Sequence, residues 1–216
     1  MMNKAVFFAF ALFTFFATSC DKDDDNPVTT SSFKVTITNA FAAKAHFSTG
    51  VFTTPLGASE AGPLFPDQSY QFTVEAAKPS HQLFFSTMYV QSNDLFLSNN
   101  PQGGFPFYDA SGSAIGSATY TVDLWDSGTE VNQEPGVGND QAPRQSGANV
   151  GQAENGTVQL IENVSDGFTY PSGDQIAKIR IEYNSGSMFT VTITNTSGTS
   201  ILPSPLAPGA WVVTNA

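Results

Sequence analysis

The chain has 216 residues, with 19 acidic side chains against 8 basic ones, a formal net charge of −11 and a single cysteine. That balance argues against nucleic acid or anionic lipid as a partner and favours cations. One cysteine excludes an internal disulfide, so burial alone must hold the fold. Nineteen Phe, abundant Thr, Val, Gly and Pro, and almost no long helix-forming stretch predict an all-β class.

Met1–Ser19 places Lys4 before an apolar run from Ala5 to Phe16, then the small residues Ala17-Thr18-Ser19. This is the pattern of a signal peptide, shorter than the roughly 20 apolar residues of a spanning helix. At that junction Cys20 resembles the lipobox cysteine of bacterial lipoproteins, although Ala17 stands where Leu is commoner. The resemblance implies lipidation at Cys20, hence a mature protein tethered to a membrane without crossing it. Residues 20–32, beginning Cys20-Asp21-Lys22-Asp23-Asp24-Asp25, offer only Val28 to bury and read as a solvated acidic tether. The acids after the cysteine also resemble export tags of outer-membrane lipoproteins, which implies an outer-membrane or cell-surface location. Repulsion within a spacer explains them equally well.

About 197 residues then remain, enough for one large sandwich domain. Phe33–Asn39 alternates apolar and polar side chains and predicts a half-buried strand. Ala40–Gly50 reads as a short helix or an irregular link, and His46 within it as a structural histidine, because no Cys or second His stands at ligand spacing. Pro55, Gly57, Gly62, Pro63 and Pro66 make Val51–Ser69 a long loop. Strands are expected at Tyr70–Ala76 and, apolar on both faces, at Leu83–Val90; the second delivers Gln91-Ser92-Asn93-Asp94 to one end of the sandwich. A loop at Phe105–Asp109 and a turn at Gly112–Gly116 feed a strand at Ala118–Leu124.

The stretch Tyr120–Gly136, Y-T-V-D-L-W-D-S-G-T-E-V-N-Q-E-P-G, begins as a strand and ends as a loop, crowding Asp123, Asp126, Glu130 and Glu134 together. Oxygen ligands on a bending backbone suit Ca²⁺ better than zinc. An EF-hand is excluded: Asp123, Gly128 and Glu134 fall at places one, six and twelve, but Trp125 and Ser127 occupy places three and five, and the flanks are not helical. A solvated acidic loop remains the plainer alternative.

Three segments resemble landmarks of the spondin N-terminal (F-spondin) domain: Asp123–Glu130 (D-L-W-D-S-G-T-E), Phe84–Phe96 (F-F-S-T-M-Y-V-Q-S-N-D-L-F) and Gln175–Glu182 (Q-I-A-K-I-R-I-E). The likeness covers about residues 33–183 and implies an antiparallel, C2-like β-sandwich with long loops at one end. It further implies a calcium site in which Asp94, Asp123, Asp126 and Glu130 are ligands. Here Leu124 abuts Trp125, whereas related motifs insert a residue and a proline, which alters the setting of Asp126.

Glu134 through Gly156 is a long polar excursion. In it Arg144 and Gln145 either touch a polymeric ligand or lock the loop to its own backbone. Val158–Ile161 and Ile176–Tyr183 read as closing strands. Phe189–Asn195 then repeats Phe33–Asn39 with one change, and residues 184–216 are read as a C-terminal extension that adds edge strands, since about 30 residues cannot bury a core alone.

Three functions are open at this point. The first is a calcium-dependent binding or adhesion module of the cell envelope that recognises protein, matrix or glycan. The second is a structural envelope component with a stabilising metal. The third is a hydrolase using a carboxylate pair such as Asp123 with Glu130. No nucleophile and base combination is visible, so a non-enzyme is expected.

Overall fold

The computed structural model describes residues 46–147 and 149–215; the signal segment, Cys20, the acidic tether and the strand expected at Phe33–Asn39 lie outside the described residues. Eleven strands are seen among the described residues: β1 (His46–Phe52), β2 (Ser69–Glu75), β3 (His81–Met88), β4 (Leu95–Ser98), β5 (Phe105–Pro106), β6 (Ser117–Thr121), β7 (Asp123–Asp126), β8 (Gln159–Leu160), β9 (Ala177–Ser185), β10 (Met188–Asn195) and β11 (Gly209–Asn215). They form two antiparallel sheets, one ordered β1-β11-β3-β4-β7-β8 with β5 also paired to β3, the other ordered β2-β10-β9-β6. The fold is an all-β sandwich, and the described residues make one compact unit. No helix among the described residues is long and apolar enough to cross a membrane.

The core follows from strand alternation. In β10, Phe189, Val191 and Ile193 are buried while Thr190, Thr192 and Thr194 face outward. Each buried side chain of this kind contributes roughly 1.5–3 kcal/mol. The outward threonines join neighbouring strands: Gln71 Nε2 donates to Thr192 Oγ1 at 3.1 Å, and the Ser69 and Thr194 hydroxyls are 2.9 Å apart. Phe52, Tyr70 and Phe85 close the space between the sheets at one end, and Phe107 packs on Phe189 at a ring separation of 4.8 Å.

Four readings of the sequence are corrected here. Residues from His46 onward form β1, neither helix nor link, because Gly209–Asn215 supplies a strand for them to pair with. Leu95–Ser98, unassigned from the sequence, forms a further strand, β4, seated between β3 and β7. Ile176 ends a helical turn, α1 (Gly173–Ile176), instead of starting a strand. The boundary expected at 183/184 falls inside β9, and the C-terminal residues add central strands, not edges: β10 lies between β2 and β9, and β11 between β1 and β3. Both edges of β10 are hydrogen-bonded because β2 and β9 flank it.

The expected strand Ala118–Leu124 is two strands in different sheets. Tyr120 of β6 pairs with Ile179 of β9, and Leu124 of β7 pairs with Leu97 of β4. The crossing residue, Val122, is buried at 2 % exposure. This corner sets the facing of Asp123 and Asp126 on β7.

Candidate functional site

Residues three apart on a strand point to opposite faces, because side-chain direction alternates with period two. Asp126 therefore shares the buried face of β7 with Leu124, while Asp123 sits with Trp125 on the other, half-exposed face. Asp126 is 0 % exposed. The four expected ligands are accordingly divided: Asp123 borders one cleft, Asp94 and Glu130 another.

Asp94 follows the tight turn after β3 and is half-buried. Its Oδ2 accepts from Ser127 Oγ at 2.8 Å, Thr129 N at 2.7 Å, Thr129 Oγ1 at 2.7 Å and Glu130 N at 2.9 Å. Its Oδ1 is buried and has no donor. One carboxylate oxygen thus pins the entire turn leaving β7. Asp126 completes that turn, with Oδ1 accepting from Gly128 N at 2.8 Å and Oδ2 from Asn132 Nδ2 at 3.0 Å. Gly128 stands at φ 68°, and a Cβ there would lie 2.7 Å from Thr157 N, so both conformation and packing call for glycine. The returning chain pairs with the same turn through Gly156 N to Gly128 O at 2.7 Å and Glu154 N to Thr129 O at 3.0 Å.

Asn93 holds the next part of the loop. Its Oδ1 accepts from Gln133 N at 2.9 Å and from Nε2 of the fully buried Gln141 at 3.1 Å, while its own Nδ2 is buried without a partner. Arg144 donates to Gly138 O at 2.8 Å and to Gln141 Oε1 at 3.3 Å, locking the loop to itself. Glu130 is 7 % exposed, and a Cβ on Gly151 would fall 2.4 Å from its Oε2. Glu134 is exposed, and Asp109 is spent on its own turn, where its Oδ1 accepts from Ser111 N at 2.8 Å and Ser113 N at 3.0 Å. His46 opens β1; His81, 2 % exposed, packs against Phe47 at 4.4 Å, and burial followed by Lys78 lowers its pKa.

Charge at this end is one-sided. Burial, then Asp94 and Asp166, raise the pKa of Asp126 against the lowering effect of the Gly128 N–H. Burial, then Asp126, Asp94 and Asp166, raise that of Glu154. Tyr170 donates a short hydrogen bond to Asp166 and titrates far above the ordinary tyrosine range, through burial first and Asp166 second. The single ion pair among the described residues, Arg180–Glu182, is an exposed one on β9.

No known family, curated protein or solved structure matches this chain.

The donor set can now be tested against calcium. Asp94 Oδ1, a buried carboxylate oxygen with nothing to accept, is what a hard cation would fill. Asp123 does not belong to that set, and among the described residues no three His, Cys, Asp or Glu side chains stand close enough to hold a metal. The pair suggested for hydrolysis, Asp123 with Glu130, is not assembled either, since the two border different clefts. Gln141, Glu154 and Asp166 escape the sequence reading, while Asn93 is expected at the sandwich end beside Asp94 but without a ligand role.

The raised pKa of Asp126 gives a pH prediction. A carboxylate whose folded pKa exceeds its unfolded value of about 3.9 stabilises the fold below that value, and this contribution is lost as pH rises through the folded pKa. Asp126→Asn keeps an acceptor for Gly128 N and lets the Asn132 amide turn over. In chelator, as pH rises from about 3.5 through the folded pKa of Asp126, the melting temperature of the parent is expected to fall relative to that of the variant. Parallel curves would assign the pH response to other groups.

Proposed function

We propose that this chain is a non-catalytic binding module of the cell envelope, tethered through a lipid on Cys20, whose loop end recognises an extracellular protein or glycan with calcium as its ion. The reading is carried by Asp94: one oxygen fixes the 127–130 turn, and the other is buried, acceptor-only and unpaired beside an acidic neighbourhood. Calcium would be held by Asp94 through its unpaired Oδ1, the remaining ligands being backbone oxygens and water, and it would offset the repulsion between Asp94 and the buried Asp126. The resemblance to spondin N-terminal domains points the same way at Asp94.

Affinity is expected in the weak extracellular class, Kd of roughly 10⁻⁴–10⁻³ M. At about 10 mM calcium and a Kd of about 1 mM the fold gains about 1.4 kcal/mol, a rise of roughly 3–5 °C in melting temperature. Differential scanning calorimetry with calcium and with chelator measures this, and Asp94→Asn should abolish the difference. No rise in the parent would remove the ion from the reading.

A second reading, a structural envelope component, is favoured by the hydrogen bonds that already order the loop through Asp94 and Gln141. A calcium-dependent melting temperature without partner capture from envelope extracts or on a glycan array supports it over the first.

A further inference from the structure

Asp123, excluded from the loop-end set, opens onto a cleft of about 440 Å³ between the β7–β8 edge and the 168–173 segment. Its walls are apolar and aromatic, from Leu160, Val164, Phe168 and Tyr170, and its polar groups include two carboxylates, Asp123 and Glu162; no Lys, Arg or His lines it. Neither carboxylate receives a hydrogen bond or an ion pair among the described residues. Burial first, and the neighbouring Glu162 second, raise the pKa of Asp123, so a cation beside it would favour its charged form. Phe168 remains 37 % exposed, a large ring left partly open to solvent at the rim.

We infer that this cleft receives the side chain of a lysine or arginine from a partner protein. An aliphatic stem would lie along Leu160 and Val164, and the cation would meet Asp123 and Glu162 with an aromatic face beside it. The chain's net charge of −11 favours encounter with a basic surface. This inference rests on the binding-module reading but not on calcium, because Asp123 and Asp94 border different clefts.

The test is a backbone-amide NMR titration of the whole protein in chelator with Ac-Gly-Lys-Gly-NH₂, Ac-Gly-Arg-Gly-NH₂, an isosteric norleucine peptide and spermidine. The two basic peptides are expected to shift residues 160–164 and 168–173, and the norleucine peptide not to. Glu162→Gln and Asp123→Asn, nearly isosteric and free of structural bonds, should each weaken binding about tenfold. The proposal is overturned by the absence of shifts at about 20 mM peptide, by equal shifts with norleucine, by undiminished binding in both folded variants, or by spermidine binding more tightly than either peptide. Because chelator is present throughout, a missing calcium response leaves this result readable, and the reverse also holds.

Discussion

Replacing Asp94 with alanine is expected to destabilise the protein by about 2–4 kcal/mol and to lower its melting temperature by roughly 5–10 °C. Four donors converge on Oδ2, two of them backbone N–H groups that fold the 127–130 turn back toward β4. Bonds to a charged acceptor are worth about 1.5–3 kcal/mol, and part of this is regained because Thr129 is exposed and finds water. Denaturation in urea gives the size of the effect. Limited proteolysis gives its place, with new cleavage expected between residues 127 and 157. Asp94→Asn retains an acceptor and should lie between parent and alanine variant. An alanine variant as stable as the parent would mean that the turn is held by its pairing with residues 153–157 alone.

Gly173→Ala is expected to cost about 3 kcal/mol, at the upper end for overpacking a buried site. A methyl group there would stand 2.0 Å from Val122 O and 2.9 Å from Asp123 Cα. Both obstacles are backbone, so relief requires moving the corner where the chain passes from β6 to β7. In an open helical turn the same substitution would stabilise, since alanine favours helix over glycine by about 1 kcal/mol. The sign of the measured change therefore tests the corner directly. A loss of stability, read by thermal melting, supports the close approach of α1 to Val122, and a gain would refute it.

Much of the fold was legible because period-two alternation survives in a half-buried strand: Tyr70, Phe72 and Val74 in β2 and Phe189, Val191 and Ile193 in β10 mark their own faces. The four-residue Leu95–Ser98 is not legible in this way and acquires its character from the neighbours that pair with it, whereas β8 lies inside the strand expected at Val158–Ile161. The placement of β10 and β11 was equally out of reach, since an alternating strand gives no sign of whether one or both of its edges will be covered. Proximity in sequence also misled at the acids. Asp123 and Asp126 lie three residues apart, yet the alternation of β7 sends them to opposite faces, while Asp94 reaches Thr129 from 35 positions away.

The sequence by itself determined the all-β class, the acidity, the turn-forming Asn93-Asp94 after a strand and a carboxylate-rich loop farther along the chain, because composition, periodicity and turn chemistry are local properties. Only the tertiary structure decided which acids share a site. That depends on the sheet switch at Val122 and on loop closure by Gln141, and both are set by packing between segments distant in the chain.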